Sequence, residues 1–197
     1  RKDSDELREK NGLRDHFIIG HVGVLREWLD FHPLFTAVKE LSGTYNIKLL
    51  LVGGGVGYDD TVQLAESYGI INNVVFTGTI PYPLIPEYIG CMDVCTVPFK
   101  DDSVAQNSLP LKIFEYMACE KPVICSEVRA IREIFEKEIL FVSGSEGYKK
   151  AIVKLYGDIP LRQQLGYEGR RAIEENYHWG SLSNKLEQIM TRLHNQK

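Results

Sequence analysis

The sequence has no apolar run approaching the roughly 18 residues needed to cross a bilayer, and it has no signal-peptide pattern. It also lacks an excess of basic residues, since 23 Lys and Arg stand against 27 Asp and Glu, a formal net charge of −4. This charge argues against a general affinity for nucleic acid, so any bound anion has to be held by a local site. Because the chain begins at Arg1 rather than at Met, we expect an excised fragment of a cytoplasmic protein.

Cysteine is scarce as well. The chain has four cysteines, which form no C-x-x-C pair and have no histidines at the spacing of zinc ligands: Cys91, Cys95, Cys119 and Cys125. This spacing disfavours both a disulfide framework and a metal site. We therefore expect reduced thiols in the core and no bound metal.

The chain does contain a regular alternation of apolar patterns. Its 197 residues, 44% of them hydrophobic and 25% charged, suit one globular domain. Between positions 17 and 142, short β-branched runs alternate with amphipathic stretches of helical length. This alternation predicts a Rossmann-like three-layer α/β domain with a six-stranded parallel sheet. The predicted strands are Phe17–Val22, Ile47–Val52, Asn73–Thr77, Val94–Val97, Pro122–Cys125 and Leu140–Val142. The helices predicted between them are Phe31–Leu41, Thr61–Tyr68, Pro83–Cys91, Pro110–Cys119 and Ala130–Phe135.

After position 143 the pattern predicts a helical C-terminal tail, with helices at Glu146–Tyr156, Leu161–Asn176 and Ser181–His194. We divide the chain into a charged linker helix at residues 1–16, the Rossmann-like domain at 17–176 and a C-terminal helix at 177–197. A charged linker is what remains where a second domain has been cut away. In an open parallel sheet, ligands bind beyond the carboxyl ends of the strands, so the loops there are the candidate site.

The segment 107–118 is the most informative of these regions. Asn107 or Ser108 can cap a helix, and Pro110 suits its first turn. Lys112 then lies in the first turn, where its charge opposes the helix dipole at a cost of about 0.3 to 1 kcal/mol. Free N–H groups at that helix end, together with the lysine, would form a receptor for a diphosphate. The alternative is an exposed lysine that bends away into water.

Glu115 follows Lys112 by three residues, so both side chains point the same way on a helix. The two can form an ion pair. Alternatively, because its sequence neighbours are apolar, Glu115 needs hydrogen-bond donors, and the two hydroxyls of a ribose would supply them. The residues alone leave these two interpretations open.

The second glycine-rich segment, Gly53-Gly54-Gly55-Val56-Gly57, follows a predicted strand and lets the backbone turn sharply and approach a ligand. It departs from a dinucleotide-binding signature because Tyr58 takes the place of the last glycine. The next strand also ends without an acidic residue. These departures disfavour a nicotinamide-dependent dehydrogenase.

Four motifs occur in an order that resembles the C-terminal domain of the family-four retaining glycosyltransferases, which have the GT-B fold of two facing Rossmann-like domains. The resemblance covers most of the chain, and its last motif is rather specific. The motifs are Ile-Gly-His-Val-Gly at 19–23, Leu-Val-Gly-Gly-Gly at 51–55, Asn-Val-Val-Phe-Thr-Gly-Thr-Ile-Pro at 73–81 and Phe-Glu-Tyr-Met-Ala-Cys-Glu-Lys-Pro-Val-Ile at 114–124.

The resemblance implies that Glu115 holds the ribose hydroxyls and Lys112 the diphosphate of a nucleotide sugar of UDP or GDP type, with no cofactor. It also implies that the backbone at Gly78, Thr79 and Ile80 meets the base and that Gly53, Gly54 and Gly55 lie near the interdomain cleft. Further candidates for donor contacts are Ser108, Leu109 and Leu111. In such enzymes the leaving diphosphate is stabilised by positive side chains and helix-end amides, usually without a metal.

Two departures from the family pattern affect the catalytic residues. The family commonly has a glutamate eight residues before the ribose-binding one, and here Asn107 stands in its place. The arginine and lysine that usually follow the first strand are unmatched, and Arg26 can substitute for one of them. The catalytic candidates are therefore Lys112, Asn107 and Arg26. Among the histidines, His21 alone is expected at a strand end facing the cleft.

The expected function is that of the donor-binding half of a hexosyltransferase acting on a glycan or lipid-linked acceptor, inactive as a fragment. Its expected partners are the nucleotide sugar and a missing N-terminal acceptor-binding domain. Through that domain, the full-length enzyme could bind peripherally to the inner face of the membrane. Two alternatives stay open: a nucleotide-sugar 2-epimerase of similar fold, and a catalytically silent binding or scaffold domain.

Overall fold

The computed structural model describes residues 2–194 and contains the predicted Rossmann-like α/β domain. Arg1 and residues 195–197, at the ends of the predicted linker and C-terminal helix, lie outside the described residues. Six parallel strands form one sheet in the order β3-β2-β1-β4-β5-β6. The strands are β1 (Phe17–Val22), β2 (Ile47–Val52), β3 (Val74–Phe76), β4 (Val94–Val97), β5 (Val123–Ser126) and β6 (Ile139–Val142).

The strand order reverses direction between β1 and β4, and this central pair is the topological switch point of the sheet. β1 pairs in register with β2 from Phe17 opposite Ile47 to Val22 opposite Val52. All six residues of β1 and all four of β4 are buried, as expected for strands that helices cover on both faces. The carboxyl ends of β1, β2 and β4 therefore meet at one edge above a rigid core.

Ten α-helices are described in residues 2–194, and most of them cover the two faces of the sheet. Those in the first part of the chain are α1 (Lys2–Lys10), α2 (His32–Leu41), α3 (Tyr58–Ser67), α4 (Ile85–Gly90), α5 (Ser103–Gln106) and α6 (Leu111–Ala118). Those that follow are α7 (Arg129–Arg132), α8 (Gly144–Gly157), α9 (Ile159–Asn176) and α10 (Trp179–His194). Two short 3-10 turns, Ile71–Asn73 and Tyr82–Leu84, precede β3 and α4.

The expected capping of α6 by Asn107 or Ser108 is wrong. The additional short helix α5 is capped by Asp102, whose carboxylate accepts from the amides of Val104 and Ala105 at 2.9 Å. Asn107 closes α5, and the Ser108 hydroxyl donates to the Val104 carbonyl. The capping position of α6 falls instead on Pro110, which has no side-chain group to offer.

The C-terminal tail is helical, as predicted. Gly166 of α9 packs so closely against the turn after α6 that an added Cβ would lie 2.2 Å from the Glu120 carbonyl oxygen. By contrast, α10 has no buried residue. No helix within residues 2–194 combines the length and apolar character of a bilayer span. The four cysteines are free thiols, three of them buried, as expected from the sequence.

Candidate functional site

A cavity of about 580 Å³ opens at the carboxyl edge of the sheet, between the ends of β1 and β2, the loop after β3 and the start of α6. Its lining is mostly apolar, and Lys112 and Glu115 are its two charged residues. The lining residues are Val22, Gly23, Val24, Val52, Gly53, Gly54, Gly55, Thr79, Ile80, Tyr82, Ile85, Leu111, Lys112 and Glu115. The site thus lies where the sheet topology places ligands.

The floor of the cavity is made of main chain. The Gly23 amide donates to the Val52 carbonyl at 2.9 Å, and the Gly53 amide donates to the Gly78 carbonyl at 3.0 Å. Gly53 has a φ of +134° and lies so close to Gly23 that an added Cβ would stand 2.0 Å from the Gly23 carbonyl oxygen. Only glycine fits this approach, which joins the loops after β1, β2 and β3.

Helix α6 is anchored directly over the end of β1. The fully buried Tyr116 hydroxyl accepts from the Val22 amide at 2.7 Å and lies 3.2 Å from the Val22 carbonyl, to which it donates. Tyr116 follows Lys112 by one turn, so this anchor fixes the start of the helix beside the cavity. No acceptor for the Leu111 and Lys112 amides occurs among the hydrogen bonds of residues 2–194. The helix therefore presents free N–H groups at the cavity.

The Lys112 ammonium passes across the backbone of Gly23, where an added Cβ would lie 2.7 Å from Nζ. Its Nζ is 3.1 Å from Nε2 of His21, the fully buried histidine of β1. The residue as a whole is partly accessible, but its ammonium group is desolvated, and this burial lowers the pKa of Lys112 to about 8. Glu115 opposes the shift and favours the charged form. A desolvated cation with few partners is a receptor for an anion.

Glu115 lines the same cavity, but it forms no ion pair with Lys112 among the described residues 2–194. Its Oε1 accepts a hydrogen bond from the hydroxyl of Tyr82 at 2.9 Å. This bond is the largest cause of a raised pKa of the Tyr82 phenol. Tyr82 is 73% exposed, so its hydroxyl can move away and leave Glu115 to another donor. Of the two interpretations of Glu115, the ion pair with Lys112 is therefore not the one that the structure shows.

The remaining candidates for donor contacts lie in three places. Gly53, Gly54, Gly55, Thr79, Ile80 and Leu111 line the same cavity as Lys112 and Glu115. Gly78 lies just behind it, with its carbonyl held by the Gly53 amide. Ser108 and Leu109 line a neighbouring apolar cavity of about 330 Å³ with Trp28 and Phe99.

Two of the three catalytic candidates lie outside the main cavity. The Arg26 guanidinium stacks over the Trp28 ring, 5.1 Å from its centroid, and faces a different surface. The Asn107 side chain donates to the Ser103 carbonyl and accepts from Nη2 of Arg129 at 2.5 Å. Only Lys112 is in the cavity, so donor contacts of Arg26 and Asn107 stay predictions.

Sequence reasoning missed three contacts: His21 with Lys112, Tyr82 with Glu115, and Arg129 with Asn107. The partners are separated by 91, 33 and 22 positions respectively. Each contact depends on tertiary structure. The one available signal was the position of His21 at the end of a strand beside the expected site.

The fold and the cavity together define a Rossmann-like domain that offers a lysine and helix-end amides to an anionic ligand. The chain belongs to the family described as Glycosyl transferases group 1, which matches residues 3–172. This family assignment confirms the resemblance found in the motifs.

Named relatives have similar sequences and folds. Over 199 residues the chain is 28% identical to the capsular polysaccharide biosynthesis glycosyltransferase CapM of Staphylococcus aureus, covering 95% of this chain and 50% of CapM. The structure of Anabaena HepE in complex with UDP-glucose has a TM-score of 0.83 at 20% identity, covering 97% of this chain and 53% of that one.

The C-terminal domain of LpcC from Francisella tularensis, a glycosyl transferase group 1 family protein, has a TM-score of 0.70 at 17% identity. It covers 87% of this chain and 93% of that domain. These similarities confirm that the chain has the fold of one domain of the GT-B type, and it spans about half the length of CapM and HepE.

Proposed function

We propose that this chain is the donor-binding half of a retaining glycosyltransferase, which moves a hexose from a nucleotide diphosphate sugar to a glycan or lipid-linked acceptor. One observation carries the proposal: the Lys112 ammonium and the free amides of α6 share a cavity with a carboxylate one helical turn further along, Glu115. This set matches the two polar parts of a nucleotide diphosphate. The cavity supplies a cation for the diphosphate and an acceptor for the ribose hydroxyls.

In this proposal, Lys112 and the amides of Leu111 and Lys112 hold the diphosphate. Glu115 exchanges the Tyr82 hydroxyl for the two hydroxyls of the ribose, and the backbone at Thr79 and Ile80 faces the base. When the bond between the sugar and the diphosphate breaks, negative charge grows on the leaving phosphate. Lys112 stabilises this charge because the ammonium is already fixed in a desolvated site.

The donor we propose is of UDP type, with GDP as the alternative base. The HepE complexes, with UDP and with UDP-glucose, support this choice because their fold is the same. The proposed partner is an acceptor-binding domain, since transfer needs two aligned substrates and a site closed to water between two lobes. CapM, whose name assigns it to capsular polysaccharide biosynthesis, supports a glycan acceptor.

Calorimetric titration with UDP, UDP-glucose, UDP-N-acetylglucosamine and GDP-mannose tests the proposal. We expect UDP compounds to bind the wild-type chain. Replacing Glu115 with Gln should weaken this binding by about tenfold or more, because charge-assisted hydrogen bonds to the ribose contribute about 1.5 to 3 kcal/mol. The matched control is Glu66→Gln, on the exposed face of α3 and outside the cavity lining. Equal affinities of the two variants for UDP would contradict the role of Glu115.

The affinity for UDP should fall as the pH rises through about 8, because Lys112 binds the diphosphate as an ammonium and its pKa is lowered to about 8. Below this pH the charge is complete and the dissociation constant should be nearly constant. Above it, the dissociation constant should grow by up to about tenfold per pH unit, as each binding event requires one proton.

Three titratable side chains are placed near the ammonium: His21 on β1, and Glu115 with its partner Tyr82. Burial holds the pKa of His21 well below its ordinary value, so the imidazole stays neutral across this range, and the hydrogen bond to Glu115 raises the pKa of Tyr82. Titrations at pH 7.0, 8.0, 9.0 and 9.5 separate the outcomes. A flat profile up to pH 9.5 would show that no lysine of lowered pKa holds the ligand.

A further inference from the structure

His21 is a buried polar residue in the central strand, and its two ring nitrogens have different partners. Nδ1 lies 3.0 Å from the carbonyl oxygen of Thr96 on β4, and Nε2 lies 3.1 Å from Nζ of Lys112 on α6. The ring is fully buried and packs edge-on against Phe31 at 5.4 Å. An aliphatic residue would fill this position without a polar group to satisfy. We therefore look for a role of the imidazole beyond packing.

The partners determine the tautomer. A carbonyl oxygen only accepts, so Nδ1 has to carry a proton to bond with Thr96. A lysine ammonium only donates, so Nε2 has to be the free lone pair. A protonated ring would place two cations 3.1 Å apart in a desolvated site. Burial is the largest cause of the strongly lowered pKa of His21, and Lys112 adds to it, which agrees with a neutral ring.

The carbonyl that orients His21 is itself held at the switch point of the sheet. The Thr96 hydroxyl, fully buried, donates to the Gly20 carbonyl of β1 at 2.9 Å. Cys95, the residue before Thr96, pairs with Gly20 in the parallel β1–β4 ladder. A continuous set of contacts thus runs from the centre of the sheet through Thr96 and His21 to the ammonium of Lys112.

We propose that His21 is a positioning residue, which as the neutral Nδ1–H tautomer accepts one hydrogen bond from Lys112 and aims the remaining N–H donors of the ammonium at the diphosphate. The inference rests on the function proposed above. It adds how Lys112, the one cationic side chain that lines the described cavity, is held in place. Gly23 contributes on the other side, because the ammonium crosses its backbone where no Cβ fits. The lysine is thereby fixed before the ligand arrives, which lowers the ordering cost of binding.

Two substitutions of His21 separate the contributions of the two ring nitrogens. In His21→Asn, the side-chain amide nitrogen reaches the place of Nδ1 and can donate to Thr96, but nothing reaches Lys112. In His21→Gln, the carbonyl oxygen reaches the place of Nε2 and can accept from Lys112, while the bond to Thr96 is lost. Each variant gives up one buried hydrogen bond, so their stabilities should be similar. A purely structural role would make the two equivalent in binding.

We expect His21→Asn to weaken UDP binding about tenfold at pH 7 and His21→Gln to weaken it less than about threefold, in line with the loss or retention of one bond to a charged group. In His21→Asn the ammonium also loses an acceptor, so the pH at which UDP affinity declines should move lower. In His21→Gln it should stay near the wild-type value. Equal losses of affinity and unmoved profiles in both variants would overturn the inference.

The tautomer gives a test that does not depend on any variant folding. Long-range ¹H–¹⁵N correlation spectra of the wild-type chain at pH 7 should show a protonated Nδ1 and an unprotonated Nε2 for His21. A protonated Nε2 would overturn the proposal. If UDP fails to bind the wild-type chain or binds Lys112→Met equally well, the proposed function fails instead, whatever the tautomer. The two failures are therefore distinguishable.

Discussion

Replacing Lys112 with methionine should abolish measurable UDP binding and, at the same time, make the chain more stable at pH 7. The loss of binding should reach at least about 100-fold, because the variant removes the single cationic side chain of the described cavity and its charge-assisted bonds to the diphosphate. Methionine has a similar length and suits the apolar part of the lining. Calorimetry with UDP measures the first effect.

The gain in stability follows from the pKa of Lys112, which drops from 10.5 to about 8 on folding. A lowered pKa means that the unfolded chain binds this proton more tightly, so keeping the lysine charged opposes folding by at most about 3 kcal/mol at pH 7. Part of this is offset in the variant because Nε2 of His21 loses its donor. A net gain of about 1 to 2 kcal/mol in the free energy of unfolding is expected.

The pH dependence has a definite sign. Between pH 8 and 10.5 the wild-type lysine is deprotonated in the folded chain before it is in the unfolded one, so this penalty declines as the pH rises. The stability advantage of Lys112→Met should therefore shrink by about 1 kcal/mol between pH 7 and pH 9 in urea unfolding. Lys150→Met, at an exposed position of α8, is the matched control and should change neither quantity. A variant that binds UDP like wild type would refute the site.

The second large effect is expected from Gly53→Ala. The backbone here has a φ of +134°, and the new Cβ would meet the Gly23 carbonyl oxygen at 2.0 Å. Rotation of a side chain cannot relieve the strain or the clash, because the atoms nearest to the new Cβ belong to the backbone of Gly23. We expect the free energy of unfolding to fall by at least about 3 kcal/mol, a decrease in Tm of about 6 to 12 °C for a domain of this size.

Two other glycines are controls for this change. Gly43→Ala adds a Cβ with no atom within 4 Å at an exposed turn, and its effect should stay within about 0.5 kcal/mol. Gly54→Ala brings its Cβ to 2.7 Å from the Thr79 hydroxyl, a side chain that can rotate away, so an intermediate loss is expected. Thermal unfolding of the three variants ranks them. A Gly53→Ala chain as stable as Gly43→Ala would disprove the close main-chain approach.

The sequence was sufficient for the sheet because its inner strands are continuous apolar runs. β1, β2 and β4 begin and end at the predicted residues, since every position but Lys48 is buried in them and the flanking residues are polar or turn-forming. The edge strand β3 is shorter than predicted, because a 3-10 turn takes up Asn73 and the strand ends at Phe76, one residue before Thr77. Helix α5 was not predicted, as four residues are too few for a periodic pattern.

The candidate site also has a part that the sequence predicted and a part that it did not. Lys112 and Glu115 could be assigned to one cavity because positions three apart on a helix share a face. Their immediate partners could not, since His21 and Tyr82 reach them from distant loops and strands. The resemblance supplied functional roles but no distances. For Arg26 and Asn107 it suggested donor contacts, and in the structure both side chains have other partners.

The main-chain hydrogen bonds that join the ends of the first three strands have a consequence for how such a domain diversifies. They fix the base of the pocket through amides and carbonyls, so its shape is insensitive to most side-chain replacements. Val24, Tyr82 and Leu111 have exposed side chains around the mouth of the pocket. Within residues 2–194, the amides of these three residues donate none of the main-chain hydrogen bonds that join the strand ends. Exchange at these positions can therefore alter ligand preference while the anchoring geometry is inherited unchanged.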